Sequence, residues 1–211
     1  MKFESITVNP FAENTYIITL ADKALLIDPG FFDKQEHTQF SNFLKENSLS
    51  LSAVVLTHAH LDHVLGLSKV IERYEVPVYM NHKDLYLWEN VSKQGAMFGV
   101  PLDDFDFEPE KIPAEGEVDI EGFQFQSLYT PGHAPDHASF YFPEQGKLIA
   151  GDTIFKGSIG RTDLYKGDFS QLEKMIKTKL YTLPDTTEVL PGHGPSTTIA
   201  QEKKTNAYVR G

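Results

Sequence analysis

Apolar residues recur along this chain in two rhythms. Short runs rich in β-branched and aromatic side chains predict strands over residues 5–8, 15–20, 24–27, 53–56, 78–80, 123–129, 138–142, 147–150 and 188–190. Apolar positions at helical spacing predict helices over 32–47, 64–74, 83–91 and 169–180. Asn9-Pro10-Phe11 and Asp28-Pro29-Gly30 carry turn chemistry after the first and third runs. Residues 92–113 are rich in Gly, Pro and Asp with weak periodicity, and read as a long insertion loop of the kind that serves function or moves. Strands come first, then strand–helix units, then strands again, then a helix and a strand. That order predicts an α/β sandwich of sheets faced by helices rather than a plain parallel sheet.

Composition narrows the function. A length of 211 residues is expected of a single domain, 1–211, able to bury a sizeable core. The formal charge of −11 argues against a nucleic-acid partner, which would need clustered Lys and Arg, and Lys203-Lys204 is too short a basic run to supply them. With no cysteine, disulfides, thiolate metal sites and cysteine nucleophiles are all excluded. The N-terminus alternates like a strand without an apolar signal region, and no run is long enough to span a membrane. A cytoplasmic protein with no membrane partner is the expectation.

Chemistry concentrates at strand ends. Thr57-His58-Ala59-His60-Leu61-Asp62-His63 follows the apolar run Ala53-Val54-Val55-Leu56 and places four metal-ligand side chains within six positions. His58 and His60 can point to one side of an extended loop, with Asp62 and His63 serving a neighbouring point. Imidazole and carboxylate without thiolate suit zinc, manganese or iron. Pro131-Gly132-His133 and Pro191-Gly192-His193 repeat one device after two further strands: proline ends pairing, glycine allows the turn, and histidine is presented at the sheet edge. Gly151-Asp152 ends another strand and supplies a carboxylate whose two oxygens suit a bridge between metals.

The set His58, His60, Asp62, His63, His133, Asp152 and His193 resembles the metallo-β-lactamase superfamily across nearly the whole chain. The resemblance implies a four-layer αββα sandwich holding two divalent metal ions, zinc first, with iron or manganese as alternatives. It implies that His58, His60 and His133 serve one metal, that Asp62, His63 and His193 serve the other, and that Asp152 bridges. Gly151-Asp152-Thr153-Ile154-Phe155, followed by Gly160-Arg161-Thr162-Asp163, is similar to the glyoxalase II branch and its persulfide dioxygenase relatives. Asp163 stands where that branch places a tyrosine. β-Lactamases proper, whose commoner subclasses use a cysteine ligand, are the less similar branch.

The expected reaction is therefore hydrolysis of a small anionic thioester, such as a hydroxyacyl-thiol, by a hydroxide held between two metals, with Asp62 and Asp152 as the catalytic carboxylates. Two divalent ions would leave the ligand shell positive by about one charge despite the acidic chain. Other esters, lactones or phosphodiesters, or persulfide dioxygenation at a single iron, are the competing reactions. Arg161 is a candidate substrate-binding residue through its planar fork, or else an ion-pair partner of Asp163. Asp28 is a candidate acceptor orienting a ligand imidazole, or else a turn residue. His37, His82 and His137 fall outside the ligand set and read as solvated or core-satisfied histidines, with support of the nearby His133 as the alternative for His137. Phe98, Trp88 and Phe105 flank the long loop, where aromatics either line an acyl pocket or pack together.

Overall fold

A computed structural model describes residues 1–211 as two compact units, Met1–Ile112 with Ile120–Phe123, and Pro113–Asp119 with Gln124–Gly211. In the first unit, an antiparallel meander of β1 (Lys2–Val8), β2 (Glu13–Leu20) and β3 (Lys23–Ile27) runs into a parallel half made with β4 (Ser50–Val55), β5 (Val78–Met80) and β6 (Glu110–Lys111). Helices make the crossovers: α1 (Lys34–Glu46), then α2 (Leu61–Val64) and α3 (Leu67–Tyr74), then α4 (Tyr86–Glu89) and α5 (Val91–Phe98). Asp33 caps α1 by accepting from the amides of Gln35 and Glu36, and the helix buries Phe40 and Leu44. Leu25, Leu26 and Ile27 of β3 and Ala53, Val54 and Val55 of β4 are wholly buried, as parallel strands require. Their register pairs Ile27 with Val55, so the segments leaving both carboxyl ends, at Asp28 and at Thr57, emerge side by side. Ligand sites form at such ends because the loops there converge.

The second unit carries a six-stranded sheet in the order β14-β13-β10-β9-β8-β7. Its strands are β7 (Gly116–Ile120), β8 (Phe123–Tyr129), β9 (Ala138–Phe142), β10 (Lys147–Gly151), β13 (Glu188–Pro191) and β14 (Thr197–Thr198), with a separate ribbon of β11 (Ile154–Phe155) and β12 (Ser158–Ile159). Helix α6 (Phe169–Met175) passes into a π-helical stretch, Ile176–Leu180, and α7 (Ile199–Thr205) follows β14. Leu172, Ile176, Leu180 and Ile199 pack onto Leu148, Ala150 and Val189, closing this unit's core. Strands β10 and β13 run parallel with Gly151 opposite Pro191, and the Gly192 amide donates to the Gly151 carbonyl at 2.8 Å. This pairing brings the Asp152 and His193 turns together.

Every predicted strand is present, and the departures have local causes. The expected loop 92–113 contains a helix, α5, whose weak signal comes from Gly95 and the closing Gly99. Gly95 is needed there: its carbonyl takes the Val100 amide at 2.8 Å, and a Cβ would strike the Val100 carbonyl. The helix expected over 64–74 is divided at Gly66, where a Cβ would press into Phe31. The helix expected over 83–91 contracts to α4, with Asp84 capping the Tyr86 amide instead of continuing the helix backwards. Two-residue strands such as β6 and β14 are too short to show periodicity. Helix α7 begins immediately beyond β14, and Thr198 caps it through the Gln201 amide.

Candidate metal centre

The first unit's cluster is built on Asp28. Its backbone takes a left-handed conformation, φ 51°, at the end of β3, which Asp tolerates better than most residues. The carboxylate is buried beneath the loop that leaves β4. Oδ1 accepts the Thr57 amide at 2.7 Å, Oδ2 accepts the Thr57 hydroxyl at 2.6 Å, and the same oxygen lies 3.0 Å from His63 Nδ1. Since the Thr57 hydroxyl donates to Asp28, its oxygen accepts from His58 Nδ1 at 3.0 Å. One carboxylate thus fixes both imidazoles at Nδ1 and leaves Nε2 as the atom each ring could offer a metal.

Asp28, His58 and His63 offer ligand atoms within 4.8 Å of one another. They do not form a ligand trio of their own, because the Asp28 oxygens are already engaged by Thr57 and His63. His58, His60 and His63 are all buried, with ring centroids 4.7 Å apart for His58–His60 and 4.2 Å for His58–His63. Asp62, on the first turn of α2, brings Oδ2 within 3.9 Å of His63 Nε2.

Side-chain amides hold this loop from outside. Gln94 of α5 accepts the Leu61 amide at 3.1 Å and donates to the Ala59 carbonyl at 2.9 Å, bracketing His60. Asn9, in the β1–β2 turn, donates to the carbonyls of Gly30 and Asp62, each at 2.9 Å.

Glu13 is a residue that sequence reasoning missed. It lies fully buried at the start of β2, with Oε1 3.9 Å from His63 Nδ1 and Oε2 accepting the Thr15 hydroxyl at 2.9 Å. Burial pushes its carboxyl well above the ordinary range; the nearby His63 opposes this, and the Asp28 carboxylate adds to it. The available signal was the run Glu13-Asn14-Thr15, three polar residues leading into an apolar strand and all buried.

In the second unit, one oxygen organises the cluster. Asp152 Oδ2 lies 3.5 Å from His133 Nε2 and 3.5 Å from His193 Nε2. That spacing exceeds an ordinary hydrogen bond. It matches two donors of one tetrahedral zinc, about 3.4 Å apart when each sits about 2.1 Å from the ion. His133 is aimed by its Nδ1, which donates to the Arg161 carbonyl at 2.7 Å. Gly160 makes room for this arrangement, since a Cβ there would run into the Asp152 carbonyl.

His137 is fully buried and supports Asp152. Its Nε2 accepts the Asp152 amide at 2.9 Å, so the ring proton sits on Nδ1 and meets Thr130 Oγ1 at 2.9 Å. It acts by placing the Asp152 backbone.

The donor set fits a divalent metal. It contains imidazoles held at the far nitrogen, carboxylates at ligand–ligand spacing and no thiolate. Arg161 is otherwise occupied: its guanidinium forms a two-pronged pair with Asp163, Nε to Oδ1 at 2.7 Å and Nη2 to Oδ2 at 2.8 Å. The pair is exposed and holds the Asp163 carboxyl down to about 2. His82 binds the Pro109 carbonyl at 3.0 Å and His37 packs on Phe31, each away from the ligand loop. Trp88 and Phe105 pack on each other, centroids 4.3 Å apart.

Strand-end histidines and aspartates on mixed sheets define a metallo-hydrolase class of protein. Residues 8–193 match the family model for the metallo-beta-lactamase superfamily, and the chain belongs to that family. It is 37% identical over 212 residues to the hydroxyacylglutathione hydrolase GloC of Haemophilus influenzae, covering 99% of this chain and 98% of that protein. Among solved structures it is similar to the BLEG-1 B3 metallo-beta-lactamase, with a TM-score of 0.91, 33% identity and full coverage of both chains. It is also similar to TTHA1623 in a di-iron-bound form, with a TM-score of 0.87, 35% identity, and coverage of 98% of this chain and 100% of that one. The chain is a metal-dependent hydrolase by family, with a His/Asp metal site and the α/β fold expected from the sequence. No helix is long and apolar enough to cross a membrane.

Proposed function

We propose that the protein hydrolyses a small anionic thioester at a pair of divalent metal ions held by His58, His60, Asp62, His63, His133, Asp152 and His193. The observation that carries this reading is the Asp152 oxygen 3.5 Å from both His133 Nε2 and His193 Nε2, a spacing that would let the carboxylate share a metal with either imidazole. Likeness to GloC, named as a hydroxyacylglutathione hydrolase, supports a hydroxyacyl-thiol as substrate. The di-iron form of TTHA1623 supports two metals and makes iron as fitting as zinc. Likeness to BLEG-1 supports the fold and metal chemistry. The resemblance of Gly151-Asp152-Thr153-Ile154-Phe155 to the glyoxalase II branch favours a thioester over a β-lactam.

When bound, the metals lower the pKa of water to about 7 and polarise the acyl carbonyl. The chain's own residues do the rest. Asp28 and Thr57 hold His58 and His63 in one tautomer, the Arg161 carbonyl does the same for His133, and His137 places Asp152. Asp62 and Asp152 offset part of the metal charge, leaving a site that favours an anionic substrate. The Arg161 guanidinium, held by Asp163 through Nε and Nη2, would meet a substrate carboxylate through its remaining N–H groups or by exchanging Asp163.

Elemental analysis of protein purified without chelator, together with assay of S-lactoylglutathione cleavage, tests the reading. About two metals per chain with turnover is the expected result. A single iron, no cleavage, and oxygen uptake on a persulfide would move the protein to the dioxygenase reaction.

A further inference from the structure

Two aromatic residues lie on segments that are hydrogen-bonded to the loop carrying His60 and Asp62. Phe11 follows Asn9, whose Oδ1 takes the Phe11 amide at 2.9 Å while its Nδ2 holds the carbonyls of Gly30 and Asp62. Phe98 lies one helical turn beyond Gln94, the residue that brackets His60. The two rings meet edge to face with centroids 5.4 Å apart. Phe98 remains 47% exposed and the adjoining Met97 75% exposed, so this is apolar surface that folding did not bury. Asn9 thus joins the turn that carries Phe11 to the backbone at Asp62, and Gln94 joins the helix that carries Phe98 to the backbone on either side of His60.

We propose that Phe11 and Phe98 form an apolar wall that reads the acyl chain of the substrate, favouring longer aliphatic or aromatic acyl groups over short ones. This rests on the thioester hydrolase reading above and extends it from the bond cleaved to the group carried. The chemistry follows from what the wall offers: two ring surfaces and a thioether, with no charge among the three residues. Contact with the wall removes alkyl surface from water, and a half-open wall covers one side of the chain. The expected gain is about two- to fourfold per methylene, up to the length of the wall.

The test uses the full chain loaded with cobalt and a series of linear aliphatic hydroxamates, from acetohydroxamate to octanohydroxamate. Affinity is read from the cobalt absorption spectrum, and kcat/KM is measured on the matching acyl thioesters. In the native protein, affinity and kcat/KM should both climb by about two- to fourfold per methylene. In Phe98→Ala the slope should flatten, so that the loss grows with chain length; Phe98→Leu should keep an intermediate slope. A flat series in the native protein, or a Phe98→Ala series parallel to it, would overturn the wall. The hydroxamate arm needs no turnover, so the two readings fail separately. Graded hydroxamate binding without thioester cleavage removes the hydrolase assignment and keeps the wall. Thioester cleavage with a flat series does the reverse.

Discussion

Replacing Asp28 tests the centre at its most connected point. The Asp28 carboxylate accepts from the Thr57 amide, the Thr57 hydroxyl and His63 Nδ1, at 2.7, 2.6 and 3.0 Å. In Asp28→Ala, the Thr57 hydroxyl can turn to other acceptors, but its amide and the His63 N–H lose their partner where water does not reach. Each stranded donor costs about 1–3 kcal/mol, and an alanine at φ 51° adds about 1 kcal/mol of backbone strain. The expected loss is about 3–7 kcal/mol, a large share of the roughly 5–15 kcal/mol that holds a domain together. Asp28→Asn is the sharper variant. It keeps the size and tolerates the left-handed backbone, but replaces one acceptor by a donor; with the amide nitrogen in place of Oδ2, the Thr57 amide keeps its partner and the His63 N–H loses its own. A cost of about 1–3 kcal/mol should accompany it. Because His63 then loses its fixed tautomer, metal affinity should fall about 10- to 100-fold. Urea denaturation of the metal-free protein gives the first quantity, and titration against a competing chelator gives the second. If Asp28→Asn binds metal within threefold of the native protein, the argument that this carboxylate orients a ligand is wrong.

Other consequences are equally direct. His137→Phe removes the acceptor of the Asp152 amide; metal stoichiometry should drop while the far-UV circular dichroism stays native, and full occupancy would refute the positioning role. Gly160→Ala drives a methyl group into the Asp152 carbonyl, at an expected overpacking cost of about 1–3 kcal/mol, and should depress both thermal stability and metal content. The Asp163 carboxyl should titrate near 2 by NMR in the native protein and move towards 3.8 in Arg161→Met. Because its folded value is depressed, the stabilisation it carries is complete above about 4 and is lost as the pH falls through about 2. Tyr181→Phe loses the 2.6 Å bond to the Val209 carbonyl and should cost about 1 kcal/mol in the second unit, read by thermal denaturation.

Much of the centre was legible from the chain because its ligands sit at places where local sequence is under strict constraint. A buried parallel strand must be continuously apolar, so the abrupt change from Ala53-Val54-Val55-Leu56 to Thr57-His58 marks both the strand end and the site. The Pro-Gly-His tripeptides announce themselves for the same reason: Gly132 sits at φ 130° against Leu172, where no side chain fits. The residues at these places carry the resemblance through which family and fold class were read.

What escaped the sequence depends on which segments far apart in the chain are brought together. Asp28 read equally well as a turn residue or an acceptor until the β3–β4 register set it beneath Thr57 and His63. Glu13 stood only in a short polar run at the head of an apolar strand, and Gln94 carries no local signature, since neither periodicity nor turn chemistry tells a bracketing amide from a surface one. Arg161 offered two roles, and the fold set its guanidinium on Asp163 and its carbonyl on His133. Local sequence determines where the backbone must turn and which side chains can bind a metal. Which groups stand behind those ligands, holding their tautomers and angles, is decided by strand register and packing between residues far apart in the chain, which only the tertiary structure specifies.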